Sequence, residues 1–239
     1  PTKYVYDGTE KTYQIAPDTD GKYTVTGNKQ TNAGTYTVTV TPGANYKWID
    51  GTTGDETYPF IIQKQQIADP ELIKSTFVYS GETITPEFTE TPDKFKLEGA
   101  ISAKDALDGD YMITATPKDN YKLSDGREST NLHWQITKAP LAIQPKAISI
   151  QEGDELPTNF EVEYNKLKGS DKAETAVTGT MKFELLKADG TVLSDSKTAG
   201  EYRIHIANQN DIKSDNYDIT MKDGKLTITK KPSSSGGGS

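Results

Sequence analysis

The sequence predicts an all-β chain built as three tandem small β-sandwich domains. Three observations lead there. One block of sequence recurs three times in the same order. The recurring blocks alternate apolar and polar residues with period two, the pattern of half-buried strands. Short turn signals rich in Gly, Asp, Asn and Pro punctuate them.

The recurrence is clearest between "NAGTYTVTVTPGANYKWIDG" (Asn32 to Gly51) and "LDGDYMITATPKDNYKLSDG" (Leu107 to Gly126). They align without a gap: Pro42 falls on Pro117, Asn45 on Asn120, Tyr46 on Tyr121 and Gly51 on Gly126, so 117 − 42 and 126 − 51 both give 75. The match extends outward. "YVYDG" at Tyr4 resembles "FVYSG" at Phe77, "KYTVTG" at Lys22 resembles "KFKLEG" at Lys94, and "FIIQK" at Phe60 resembles "WQITK" at Trp134. A looser third copy supplies "AGEYRIHI" at Ala199, "NYDI" at Asn216 and "LTITK" at Leu226. The expected domains are 1–65, with a truncated first strand because Pro1 to Lys3 leaves little chain for it, then 66–138 and 139–231. A Ser/Gly-rich linker or tail, 232–239, follows. Pro1 begins inside this pattern without a leader, so the sequence reads as a fragment or mature segment.

Composition limits the function classes. The 239 residues carry a formal net charge of −8, which offers no electrostatic footprint for nucleic acid or anionic lipid. No apolar run approaches the roughly 20 residues of a membrane span. Cysteine is absent, so there is neither a disulfide framework nor thiol chemistry.

Within each copy the long middle strand is the best defined. Tyr36, Val38 and Val40 share one face of "TYTVTV", Tyr111, Ile113 and Ala115 one face of "YMITA", and Tyr202, Ile204 and Ile206 one face of "YRIHI". This leaves Arg203 and His205 for solvent. The closing strands place Phe60 and Ile62, Trp134 and Ile136, and Leu226 and Ile228 in equivalent positions. Since Trp134 aligns with Phe60 and Leu226, it is expected in the core. Trp48, which aligns with Leu123, is expected there too. Asp189-Gly190 and Asp223-Gly224 signal hairpins. "SAKDALDG" (Ser102 to Gly109) is the one helical candidate, stopped by Gly109. A β-grasp-like domain with one short helix is the alternative fold.

Each copy also carries Gly-x-Tyr-x-[Val/Ile]: Gly34 with Tyr36, Gly109 with Tyr111, and Gly200 with Tyr202. In immunoglobulin-type sandwiches a tyrosine two residues before a core position turns its hydroxyl back to the backbone at the sheet corner. The three tyrosines fit either that corner or ordinary apolar-face strand positions. Both readings make them structural. The segments "VYDGTEKTY", "TNAGTYTVTVTPGANYKW" and "GKLTITK" resemble the MBG and YDG families of bacterial immunoglobulin-like repeats, over essentially Tyr4 to Lys231. The resemblance implies tandem extracellular modules of secreted or wall-anchored adhesin-like proteins, often Gram-positive. It implies no catalytic residues.

The sequence offers no catalytic constellation. His133 and His205 are the only histidines, and with no cysteine they cannot build a common structural zinc site. "DTDGK" (Asp18 to Lys22) begins like a calcium loop, but the twelfth position is Lys29 rather than Glu, so it reads as a turn. No enzyme activity, cofactor or metal is expected. Two function classes remain. One is a spacer that presents other modules away from a cell surface. The other is a binding module for host glycoprotein or polysaccharide, for which the insertion of the third copy, Asn165 to Gly179, is the candidate loop, although it reads as a solvated one. The segment is expected to be monomeric and not inserted in a membrane. Asn45, Asn120 and Asn216 are read as turn residues bonding their own backbone, and Lys64, Lys138 and Lys230 as solvated strand ends. No Lys–Asn cross-link is therefore expected.

Overall fold

The computed structural model describes residues 3–16, 18 and 20–233; the tail beyond Ser233 lies outside them, as do Pro1 and Thr2 of the shortened first strand. The described residues are almost wholly strand and turn. The first repeat expected from the sequence contributes β1 (Tyr4–Val5), β2 (Lys11–Thr12), β3 (Tyr23–Thr26), β4 (Lys29–Gln30), β5 (Gly34–Pro42) and β6 (Glu56–Gln63). The second contributes β7 (Gln65–Ile67), β8 (Thr76–Val78), β9 (Phe95–Gly99), β10 (Tyr111–Pro117), β11 (Tyr121–Leu123) and β12 (Thr130–Thr137). The third contributes β13 (Ala139–Pro145), β14 (Ile148–Gln151), β15 (Val162–Asn165), α1 (Ala173–Ala176), β16 (Phe183–Leu186), β17 (Gly200–Ile206), β18 (Tyr217–Met221) and β19 (Gly224–Thr229). One residue, Lys64 or Lys138, separates each closing strand from the next opening strand.

The chain divides into two compact units. The first comprises residues 1–73, 87–101 and 112–132. The second comprises 74–86, 102–111 and 133–239. The second repeat is thus shared between them.

In the first unit a four-stranded sheet has the order β1-β6-β5-β3. β5 runs antiparallel to β6 with Tyr36 opposite Phe60, while β1 joins the other edge of β6 in parallel, Tyr4 beside Ile62. Alternation along β5 and β6 buries Val38, Phe60 and Ile62, with Tyr4, Tyr13, Val25 and Tyr36 packed around them. This is what period two dictates when one face is covered. The second-repeat part of this unit pairs β9 with β10 antiparallel and β7 with β11 in parallel. Ile67, Phe95, Ala115 and Leu123 form its buried cluster. A glycine of positive φ follows β3 and another ends β9: a Cβ on Gly27 would lie 2.4 Å from the Thr37 carbonyl oxygen, and one on Gly99 2.6 Å from that of Met112. Only glycine fits so close to the neighbouring strand.

In the second unit, β8 pairs in parallel with β12, Phe77 beside Ile136. The third repeat forms two sheets, β15-β13-β18 and β14-β19-β17-β16. β14 and β19 are parallel, β17 and β19 antiparallel. Leu185, Leu193, Ile204, Leu226 and Ile228 are buried with Phe160, Phe183 and Tyr202 against them, and Leu141 and Ile143 of β13 are buried as well.

Three local expectations need correction. Ser102 to Gly109 is not helical; the sole α-helix among the described residues is α1, in the third-repeat insertion. Asp189-Gly190 does make a hairpin turn, with Lys187 N–H bonded to Thr191 O and Gly190 at positive φ. Asp223-Gly224 does not, because β18 and β19 lie in different sheets. Gly224 serves a close approach instead: a Cβ there would sit 2.5 Å from the Pro145 carbonyl oxygen. Trp48 is only half-buried, its Nε1–H donating to Gly54 O at 2.7 Å, whereas Leu123 at the equivalent position is fully buried. Leu123 lies on β11 under its pairing with β7, and Tyr46 to Trp48 has no such partner strand among the described residues.

Candidate functional site

The motif tyrosines turn their hydroxyls back to backbone in all three repeats. Tyr36 OH donates to Asn32 O at 2.9 Å, Tyr111 OH to Asp105 O at 2.8 Å, and Tyr202 OH to Thr198 O at 2.8 Å. Their rings lean on the core: Tyr36 lies 6.0 Å from Phe60, Tyr111 lies 4.9 Å from Trp134, and Tyr202 packs against the third-repeat cluster. Each tyrosine is half-buried, since the hydroxyl must reach the loop at the sheet corner. Trp134, by contrast, is 1% exposed. In the first repeat the glycine two residues earlier makes room for the returning ring. A Cβ on Gly34 would come within 3.1 Å of Tyr36 Cζ, a tight approach, whereas one on Gly200 would make only ordinary contact, 3.6 Å, with the Tyr202 ring. Gly109 differs: its surroundings are open, but its φ is +138°.

The same corner loops receive the next repeat. Ala33 N–H donates to Asn120 Oδ1 at 2.9 Å, and Asn120 Nδ2 donates to Asn32 Oδ1 at 3.1 Å. One repeat later, Ala106 N–H donates to Asn216 Oδ1 at 2.8 Å, and Asn216 Nδ2 donates to Asp105 Oδ1 at 2.9 Å. Asn120 and Asn216 are therefore not turn residues bonding their own backbone. Each side-chain amide uses its acceptor and a donor on the preceding repeat. Beside each amide a tyrosine pair meets edge to face: Tyr6 with Tyr121 at 5.5 Å, and Tyr79 with Tyr217 at 5.4 Å, in the geometry aromatic rings prefer. Tyr6 of "YVYDG" and Tyr79 of "FVYSG" are thus contact residues between repeats.

The third-repeat insertion joins the second junction. Asp171 Oδ2 accepts from Tyr79 OH at 2.8 Å and from Tyr217 OH at 2.6 Å, while Lys168 N–H donates to Tyr217 OH at 2.7 Å. Gly81 lies against Lys168 and Gly169; a Cβ there would be 3.0 Å from both backbones. The insertion is thus in part a packed structural element rather than a wholly solvated loop. Burial, then the Asp171 carboxylate, pushes the Tyr217 phenol up to about 12, and the same causes raise Tyr79 further. At the first junction burial and the Tyr6 hydroxyl raise Tyr121.

At the far corner of the third repeat the socket is filled from within. Ala199 N–H donates to Glu152 Oε1 at 2.9 Å. Strand pairing puts Ile150 beside Ile228, as Phe77 stands beside Ile136, so Glu152 takes the position of Tyr79.

The remaining candidates form no reactive site. His133 approaches Asp110 at 3.8 Å, with both side chains exposed. His205 is not simply solvated: its Nδ1 lies 2.8 Å from Asp223 Oδ1, and Arg203 donates to Asp223 Oδ2 at 2.9 Å. Lys138 Nζ donates to Ser214 O at 3.0 Å, whereas Lys64 and Lys230 are exposed. Asp18 caps its own turn, accepting from Tyr23 N–H at 2.7 Å and Asp20 N–H at 3.0 Å; Thr19 lies outside the described residues. Among the described residues no group of three or more His, Asp or Glu could hold a metal ion, and no helix is long and apolar enough to cross a membrane.

Residues 141–227 match the MBG domain (YGX type). The matched stretch runs from within β13 into β19 and includes the third tyrosine corner, the insertion and Asn216. No curated protein matches the sequence. Among solved structures, the chain is similar to "Sidekick-1 immunoglobulin domains 1-5" at 11% identity and TM-score 0.24, covering 85% of this chain and 48% of that one. It is also similar to "Dscam1 isoform 4.44, N-terminal four Ig domains" at 13% identity and TM-score 0.22, covering 96% and 73%.

Proposed function

We propose that residues 1–65, 66–138 and 139–231 are three successive repeats of a structural spacer in a secreted or cell-surface protein, holding other modules at a distance. The observation that carries this reading is the repeated junction. Two consecutive repeat boundaries use the same asparagine, the same corner loop and the same tyrosine pair, and each boundary leaves only one residue outside strand. Free hinges between modules are Gly- and Ser-rich and exposed. These boundaries are hydrogen-bonded and packed, which suits a chain that must keep its length. The MBG match adds a module type associated with extracellular proteins. Many polar side chains serve corners, turns and junctions, which suits a protein that acts through its architecture.

Two measurements test this. Antibodies to the segment should label intact cells that produce the protein. The purified segment should show no saturable binding to panels of host glycoproteins and polysaccharides. Micromolar, saturable binding to one glycan or glycoprotein, lost on changing an exposed loop residue, would replace the spacer with a receptor-binding module.

A further inference from the structure

We propose that Asn45 and Tyr46 of the first repeat form a docking surface for the corner loop of another repeat of this type, joined ahead of it in the same chain. The turn that presents them is built like the one presenting Asn120 and Tyr121. Tyr46 N–H bonds Gly43 O as Tyr121 N–H bonds Lys118 O, and Gly43 N–H bonds Lys22 O as Lys118 N–H bonds Lys94 O. The chemistry is in place, but the side chains stand open. Tyr46 is 43% exposed where Tyr217 is 2% exposed, and Asn45 is exposed where Asn120 and Asn216 are half-buried.

The two occupied junctions specify the occupant: a backbone N–H at the corner before the motif glycine, a side-chain oxygen on the residue before it, and a tyrosine two residues beyond an opening-strand aromatic. A second copy of this chain does not offer one. The corners of its first two repeats are occupied by Asn120 and Asn216, and that of the third is occupied by Glu152. The segment therefore has one open end and one closed end for this contact, and a repeat in the same chain, at high effective concentration, is what fits the open one. This inference does not depend on cell-surface location or on the spacer role.

Two experiments test it. In the chain as it stands, Asn45→Ala should leave the unfolding midpoint and amide exchange unchanged, whereas Asn120→Ala and Asn216→Ala should speed exchange at the Ala33 and Ala106 amides severalfold. If Asn45→Ala weakens the unextended chain as much as Asn120→Ala, Asn45 serves its own repeat and the proposal fails. In a chain extended by placing residues 66–149 directly before Tyr4, the Ala106-equivalent amide of the added repeat should become protected at least tenfold. Asn45→Ala should remove that protection. Protection that persists with Asn45→Ala, or none in the extended chain, overturns the docking surface.

Discussion

Asn216 and Asp105 stand 111 residues apart in sequence and meet through one hydrogen bond of 2.9 Å, beside the 2.8 Å bond from Ala106 N–H to the other atom of the same amide. A net contribution of about 0.5–1.5 kcal/mol per hydrogen bond sets the scale. Asn216→Ala should therefore lower stability by about 1–3 kcal/mol, and Asn216→Asp, which sets a second carboxylate against that of Asp105, by at least as much. Urea denaturation with and without each change measures this. A loss below about 0.3 kcal/mol would place the junction among contacts without energetic weight.

The tyrosine corners separate hydroxyl from ring. Tyr36→Phe, Tyr111→Phe and Tyr202→Phe each delete one bond to a loop carbonyl and should cost about 1 kcal/mol. Truncation to alanine removes ring packing as well and should approach the 3–5 kcal/mol of large aromatic deletions, at the lower end because each ring is half-buried. Equal losses for the Phe and Ala variants would mean that the rings contribute nothing.

Alkaline pH should loosen the second junction. Tyr217 is raised to about 12 and Tyr79 is raised as well, so both phenols hold their protons more tightly folded than unfolded. That stabilisation is complete below the unfolded phenol value near 10 and is lost as pH climbs through the folded one. Melting temperature should fall between about pH 10 and 12, and Tyr217→Phe should flatten the fall. A wild-type curve no steeper than that of the Tyr217→Phe variant would remove the buried phenols as its cause.

Intact mass should equal the sum of the sequence. Lys138 Nζ donates to the Ser214 carbonyl, and the junction asparagines are held by corner loops, which leaves none of these groups facing a partner for an amide cross-link. A deficit of one ammonia would overturn this.

Strand content was legible because period two survives in every copy, while the G-x-Y motif left a corner and an ordinary strand position both open, and Tyr36, Tyr111 and Tyr202 take the corner. The junctions were not legible. Asn120 touches residues 87 and 88 positions away, and no local period carries such a contact. The signal available was recurrence itself: an Asn-Tyr pair kept in three copies asks for more than a turn. Asp223-Gly224 misled because the hairpin rule assumes that the flanking strands pair, and here they belong to separate sheets. Trp48 misled because alignment with Leu123 fixes a position but not the strand that covers it.

In each repeat an early strand pairs in parallel with the closing strand, and this has a mechanical consequence. β1 runs beside β6, β8 beside β12, and β14 beside β19, all in the same direction. Tension applied to the two ends of a repeat draws such strands past one another lengthwise, so every bond of the ladder is strained together rather than one after the next. Rupture then requires several bonds to fail at once, and forced unfolding follows the unfolding rate rather than the equilibrium. β14 and β19, with four paired positions against two for β1 and β6, should yield last under the pull of an atomic-force cantilever.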